Sequence, residues 1–118
     1  DMGAKTYEEG DDYPDYIFPV AKAVSKDKKA IGIILGGSGQ GEAIAANSIS
    51  HVRAAVYYGG QLKIVKLSRE HNNANVLSLG ARFVSKSKAK KAVRLFIDSE
   101  FSNDERHVRR LAKEDAAL

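Results

Sequence analysis

AIGIILGGSGQGEAIAAN, residues 30–47, is the stretch that decides the fold. Its first part, Ala30–Leu35, is a short apolar run with charges before it and glycines after. Such a run reads as a strand buried on both faces, the kind found in parallel sheets. GGSGQG, Gly36–Gly41, makes a tight loop, and Glu42–Asn47 opens a helix. Working outward, Arg53–Tyr58 is a second buried strand closed by Gly59-Gly60. Leu62, Val65 and Leu67 then predict a helix through Arg69. Val76–Leu79 is a third strand, closed by Gly80. Lys86–Phe101 predicts an amphipathic helix, with Ala89, Ala92, Val93, Phe96 and Ile97 on one face. A last helix is expected near Asp104, capped by Asn103 or Asp104. Upstream, Pro14 opens a helical pattern through Ile17, Val20, Ala21 and Val24, and Pro19 places the regular helix from about that residue onward. Residues 1–12 read as a strand end and a loop. Buried strands alternating with helices predict one α/β domain over residues 1–118, doubly wound and Rossmann-like, with a parallel sheet between two helical layers. In that architecture ligands bind at the carboxyl ends of the strands. The loop at 36–41, Tyr58–Gly60 and Gly80–Arg82 fall on that edge.

Composition narrows the classes. At 118 residues with 43% hydrophobic and 29% charged residues, the chain can bury a core and is not of disordered composition. No apolar run reaches the roughly 18 residues that a membrane helix needs. The absence of cysteine removes disulfides, thiolate zinc sites and a thiol nucleophile, and fits a reducing compartment such as the cytoplasm. His51, His71 and His107 lie far apart without paired ligand spacing, so no metal is expected. Charge is uneven. Residues 1–15 carry six acids against Lys5 alone, leaving 18 basic against 9 acidic residues in the remainder. A basic excess suits nucleic acid, acidic lipid or a small phosphorylated ligand alike. The first residue is Asp1, which suggests a start inside a longer chain.

Four groups of residues could carry chemistry. The glycine loop brings backbone N–H groups and a helix N-terminus toward an anion, although a plain tight turn has the same composition. It is not a Walker A loop, since no Gly-Lys-Ser/Thr follows. Tyr57, Tyr58 and Gly59 stand where a dinucleotide fold wants its acid, which argues against a nicotinamide cofactor. Glu42, in the first helical turn, is either a solvated acid favoured by the helix dipole or a general base facing the loop. Ser38 either caps the helix or donates to a developing oxyanion. Glu70–Asn75 is a polar run before a buried strand. It holds His71, whose side-chain type titrates near neutrality, and asparagines suited to a left-handed helix end. Finally, Arg106 and Arg110 are one turn apart and could clamp a phosphate, or else pair locally with Asp104 and Glu105. The lysine-rich helix at 86–94 has its core residues aligned on one face, lacks interleaved aromatics and reads as solubilising surface.

Five stretches together resemble the type B ribose-5-phosphate isomerases, a family that includes galactose- and allose-6-phosphate isomerases. They are DDYPDY (11–16), GGSGQGEAIAAN (36–47), RAA (53–55), LSREHNNANVLSLGAR (67–82) and RHVRR (106–110), in order over nearly the whole chain. The resemblance implies aldose–ketose isomerisation of a sugar phosphate without a cofactor, through a cis-enediolate. Many members carry a Cys base where Gly36 stands here. A second branch has the base as a Glu in the pattern GGSGxGE, which implies Glu42. By the same resemblance Ser38 and the amides of Gly37, Gly39, Gln40 and Gly41 hold the enediolate oxygen, and His71 opens the sugar ring. Asn72 and Arg82 bind the substrate, and Arg106 and Arg110 take its phosphate. Family sites lie between two subunits, implying a homodimer or a pair of dimers. The family's first strand, ending in Asp-His-Ala-Gly, and the helix after it have no counterpart here. Their loss would leave the strand at 30–35 with an open apolar edge. The expected activity is interconversion of ribose 5-phosphate and ribulose 5-phosphate. The competing expectations are a six-carbon substrate, a sugar-phosphate-binding homologue without turnover, and a basic nucleic-acid module. The acidic N-terminal stretch argues against the last.

Overall fold

The computed structural model describes all residues, 1–118. Five helices and three strands follow in the order α1 (Pro14–Lys26), β1 (Gly32–Gly36), α2 (Gln40–Asn47), β2 (Ala54–Tyr57), α3 (Lys63–Glu70), β3 (Val76–Gly80), α4 (Lys86–Asp98) and α5 (Glu105–Ala116). The strands form one parallel sheet in the order β1-β3-β2. Gly32–Gly36 runs in register with Val76–Gly80, and Ala54–Tyr57 with Val76–Leu79. β3 is central and every residue in it is buried, as the continuous apolar reading of a doubly flanked strand requires.

Side-chain alternation along β3 divides the core into two layers. Val76 packs with Ile17, Ala21 and Val24 of α1, Ile34 of β1 and Ala46 of α2. Leu77 and Leu79 pack with Tyr57 of β2, Val65 of α3, and Ala92 and Phe96 of α4. The small residues Ala21, Ala46 and Ala92, all essentially inaccessible, let the helices approach the sheet. No helix is long and apolar enough to cross a membrane.

Several boundaries differ from the sequence reading. α1 starts at Pro14, not near Pro19. Pro14 fills a first-turn position where its missing N–H costs nothing. Pro19 is exposed, and so is Asp15, whose carbonyl loses its helical donor, so solvent can serve it. Residues 1–12 form turns and irregular backbone, with no strand. α4 stops at Asp98, because Ser99 turns extended and sends its carbonyl to Arg69 Nε at 3.1 Å. The last helix begins after Asp104, while Asn103 takes the left-handed conformation (φ 60°) and Asp104 makes no side-chain cap.

β1 lies at one edge of the sheet and pairs on one side only, with β3. Leu35 is 61% exposed and Ile97 of α4 54% exposed. Between them opens a cavity of about 680 Å³, floored by Ile33, Leu79, Ala89 and Val93.

Candidate active site

The residues singled out from the sequence gather in two places. The first is the carboxyl end of the sheet. Here β1 runs out into the glycine loop, and the loop is pulled onto the end of β3. Ala81 and Arg82 donate their backbone N–H groups to the Gly36 and Gly37 carbonyls, at 2.8 and 3.1 Å. Ser78, buried in β3, donates its hydroxyl to the Gly39 carbonyl at 2.7 Å. Gly39 has φ +76°, and a Cβ there would sit about 3.0 Å from the Leu79 backbone and the Ser78 hydroxyl. Only glycine fits both the conformation and the space.

Losing the Ser78 bond should loosen this loop. Ser78→Ala is expected to lower stability by about 1 kcal/mol, at the low end for a buried hydrogen bond, because the Gly39 carbonyl keeps its helical donor, Ala43 N–H, at 3.1 Å. The shift of the urea midpoint at unchanged slope measures it.

α2 begins at Gln40, two residues earlier than its apolar pattern suggests. Glu42 therefore sits inside the first turn and is buried, with 8% of its surface exposed. Its carboxylate folds back over Gly36. A Cβ built at position 36 would meet Glu42 Cδ and Oε1 at 2.1 Å. The carboxylate thus fills the space that a side chain at 36 would take. It makes no ion pair, and no side-chain donor of the chain reaches it. A largely buried carboxylate outside any ion pair is common where a carboxylate does chemistry. Ser38 is exposed at the loop tip, and its oxygen accepts from Gln40 N–H at 3.2 Å, leaving its own proton free to donate. The Arg82 guanidinium lies across Gly37, with Cζ and Nε 3.3 Å from where a Cβ would be. Tyr13, given no role in the sequence reading, puts its hydroxyl end against Gly41, where a Cβ would come within 2.6 Å. The signal was the DDYPDY stretch itself, but nothing in the spacing tied it to a loop 28 residues on.

The second gathering is at the amino end of β3. His71 caps α3 at its C-terminus and is half-buried, with exposed Asn72 beside it. Asn73 takes the left-handed conformation (φ 46°). Asn75 instead becomes a staple, accepting from Arg53 N–H at 2.7 Å and donating to the His51 carbonyl at 2.8 Å. Arg69 is fixed by the Ser99 and Ala74 carbonyls and covers the Phe96 ring. Burial lowers its pKa, with Glu100 opposing. The rest of the segment is therefore structural, and His71 and Asn72 are the groups it presents. Against them lies the start of α5, anchored at its far end by Arg53 gripping Asp115 at 2.8 Å. Arg106 and Arg110 are exposed, and neither forms an ion pair, so the local pairing with Asp104 and Glu105 does not occur.

Within one chain the two gatherings do not meet. His71 and Asn72 precede β3, while Arg82 and the glycine loop lie beyond its carboxyl end. The four residue steps of β3 alone separate the two ends by about 13 Å.

Comparison with known proteins shows the family. The model of a family described as Ribose/Galactose Isomerase matches residues 1–113. Ribose-5-phosphate isomerase B of Mycobacterium tuberculosis is 39% identical over 111 residues, which are 94% of this chain and 67% of that protein. Among solved structures, ribose-5-phosphate isomerase B of Mycoplasma genitalium with bound ribulose 5-phosphate superposes with a TM-score of 0.92 at 38% identity, over 98% of this chain and 75% of that one. The Trypanosoma brucei type B enzyme gives 0.93 at 35% identity, over 99% and 76%. With the αβα architecture, the glycine loop and its carboxylate all in place, the chain belongs to the ribose/galactose isomerase family and is a sugar-phosphate isomerase.

Proposed function

We propose that the chain interconverts ribose 5-phosphate and ribulose 5-phosphate through a cis-enediolate, with Glu42 as the base. The observation that carries this reading is Glu42, largely buried, with its carboxylate folded over Gly36 at the start of the glycine loop and in no ion pair. In the open-chain aldose, Glu42 takes the C2 proton and the electron pair moves through C1 onto the carbonyl oxygen. The charge growing there is met by the Ser38 hydroxyl and by the N–H groups of Gly37, Gly39, Gln40 and Gly41. Glu42 then returns the proton to C1, and the C2 hydroxyl proton passes to the C1 oxygen, which leaves the ketose. No cofactor enters the balance.

Before this, the furanose ring must open. His71 suits the task, since imidazole both accepts and donates protons near neutrality. Arg106 and Arg110, one turn apart and free of carboxylates, take the phosphate. Asn72 and Arg82 hold the sugar hydroxyls. Because the two gatherings stand at opposite ends of the sheet, the complete site is formed by two copies of the chain. One copy gives the glycine loop, Glu42 and Arg82; the other gives His71, Asn72, Arg106 and Arg110.

Incubation with ribose 5-phosphate in deuterium oxide, followed by proton NMR, tests the reading. Ribulose 5-phosphate is expected to accumulate with deuterium at C1. A folded protein that binds the sugar phosphate without exchange would leave a binding homologue. Faster turnover of galactose or allose 6-phosphate in parallel would move the substrate to six carbons.

A further inference from the structure

His107 has no part in the function above, yet it lies against His71. The two rings stack, with centroids 4.5 Å apart and planes 19° from parallel. His107 is buried, with 6% of its surface exposed, and its Nε2 finds no hydrogen-bond partner in the chain. If the position only needed filling, an apolar side chain would do so without stranding a polar atom. The stack with His71 is the specific contact that the ring makes. The groups around it also bias its charge. Burial, His71, Arg106 and Arg110 all lower its pKa, and only Asp104 opposes them. The neutral ring is thus favoured at His107, which offers His71 a flat, uncharged face.

From this geometry we infer that His107 is a positioning residue for ring opening: its stacked face sets the plane in which the His71 imidazole meets the sugar. The inference rests on the assignment of ring opening to His71. It predicts a selective defect. Ribose 5-phosphate closes into a ring and must be opened. Ribulose 5-phosphate cannot close one through C5, because that oxygen carries the phosphate. Enediolate formation from the ketose therefore needs Glu42 but no ring opening.

The test compares His107→Leu, His107→Asn and His107→Phe in the intact protein, each checked for folding by circular dichroism. Two rates are read: turnover of ribose 5-phosphate, and deuterium exchange at C1 of ribulose 5-phosphate. His107→Leu and His107→Asn are expected to lower the first by about tenfold, in line with a misplaced proton-transfer group, and to leave the second unchanged. His107→Phe, which keeps a flat face, is expected to restore the first. Equal loss of both rates in the leucine and asparagine variants, or no loss of either, overturns the inference. So does a phenylalanine variant as impaired as the leucine one. His71→Asn separates the inference from its basis. If that variant keeps full turnover of ribose 5-phosphate, the role of His71 fails and the inference falls with it. If it loses turnover while the His107 variants do not, the inference alone fails.

Discussion

Replacing Glu42 by Gln is expected to slow ribose 5-phosphate turnover by about 10²–10⁴-fold, the range a positioned general base contributes. The protein should stay folded. Glutamine has the same shape, so it keeps the packing over Gly36 while removing a buried and unpaired charge. Its melting temperature should therefore stay close to that of the parent protein. This pairing of a large kinetic loss with no loss of stability distinguishes a chemical role from a structural one. Phosphate-dependent binding should survive, because Arg106 and Arg110 are untouched. Glu42→Asp gives a finer reading. It keeps the charge but withdraws the carboxylate by about one methylene, and a displacement of that order is enough to cost about 10²-fold. If Glu42→Gln kept more than a tenth of the wild-type rate, the base would have to be another group. Deuterium exchange at C2 of ribose 5-phosphate and at C1 of ribulose 5-phosphate should fall together in both variants, since one base serves both carbons.

What the sequence made legible follows from how local each signal is. AIGIIL, RAAVYY and VLSL read as strands because each is a short apolar run closed by glycine, and that information lies within a few residues. The glycine loop and Glu42 could be joined for the same reason, being six positions apart at most. That Glu42 takes the room left by Gly36 could not be read in this way. It depends on α2 starting two residues early and turning the carboxylate back onto the strand end. The local rule for Pro19 puts the start of α1 too late, because the burial of Ile17 and Ala21 against the sheet favours a helix from Pro14. Tyr13 against Gly41 and His107 against His71 are contacts across 28 and 36 positions. Neither residue carries a pattern that names its partner. His107 even sits in RHVRR, whose arginines drew the chemical reading. The edge position of β1 is not legible in AIGIIL, since nothing in that run says which neighbour it has.

The second large effect is a restoration. Glu42→Gln and the double variant Arg106→Ala/Arg110→Ala are each expected to be nearly inactive. The first lacks the base. The second lacks two charge-assisted hydrogen bonds to the phosphate, worth about 1.5–3 kcal/mol each, or at least 10²-fold together. If a site is built from two copies in a two-fold dimer, the lesions fall on different sides of it. Equal amounts of the two variants, unfolded and refolded together, give about half mixed dimers if pairing is random. In each mixed dimer one site collects every lesion. The other takes its Glu42 from the arginine-deficient copy and its arginines from the Glu42→Gln copy, and is intact. The mixture should recover about a quarter of wild-type activity, although neither variant alone has any to give. Recovery should appear only after subunit exchange, so simple mixing of folded proteins is the control. A single-chain site predicts no recovery at any ratio, because every chain then carries a lesion in its own site. The topology favours recovery. β3 holds His71 before its first residue and Arg82 after its last, and a rigid parallel strand cannot fold its two ends onto one sugar.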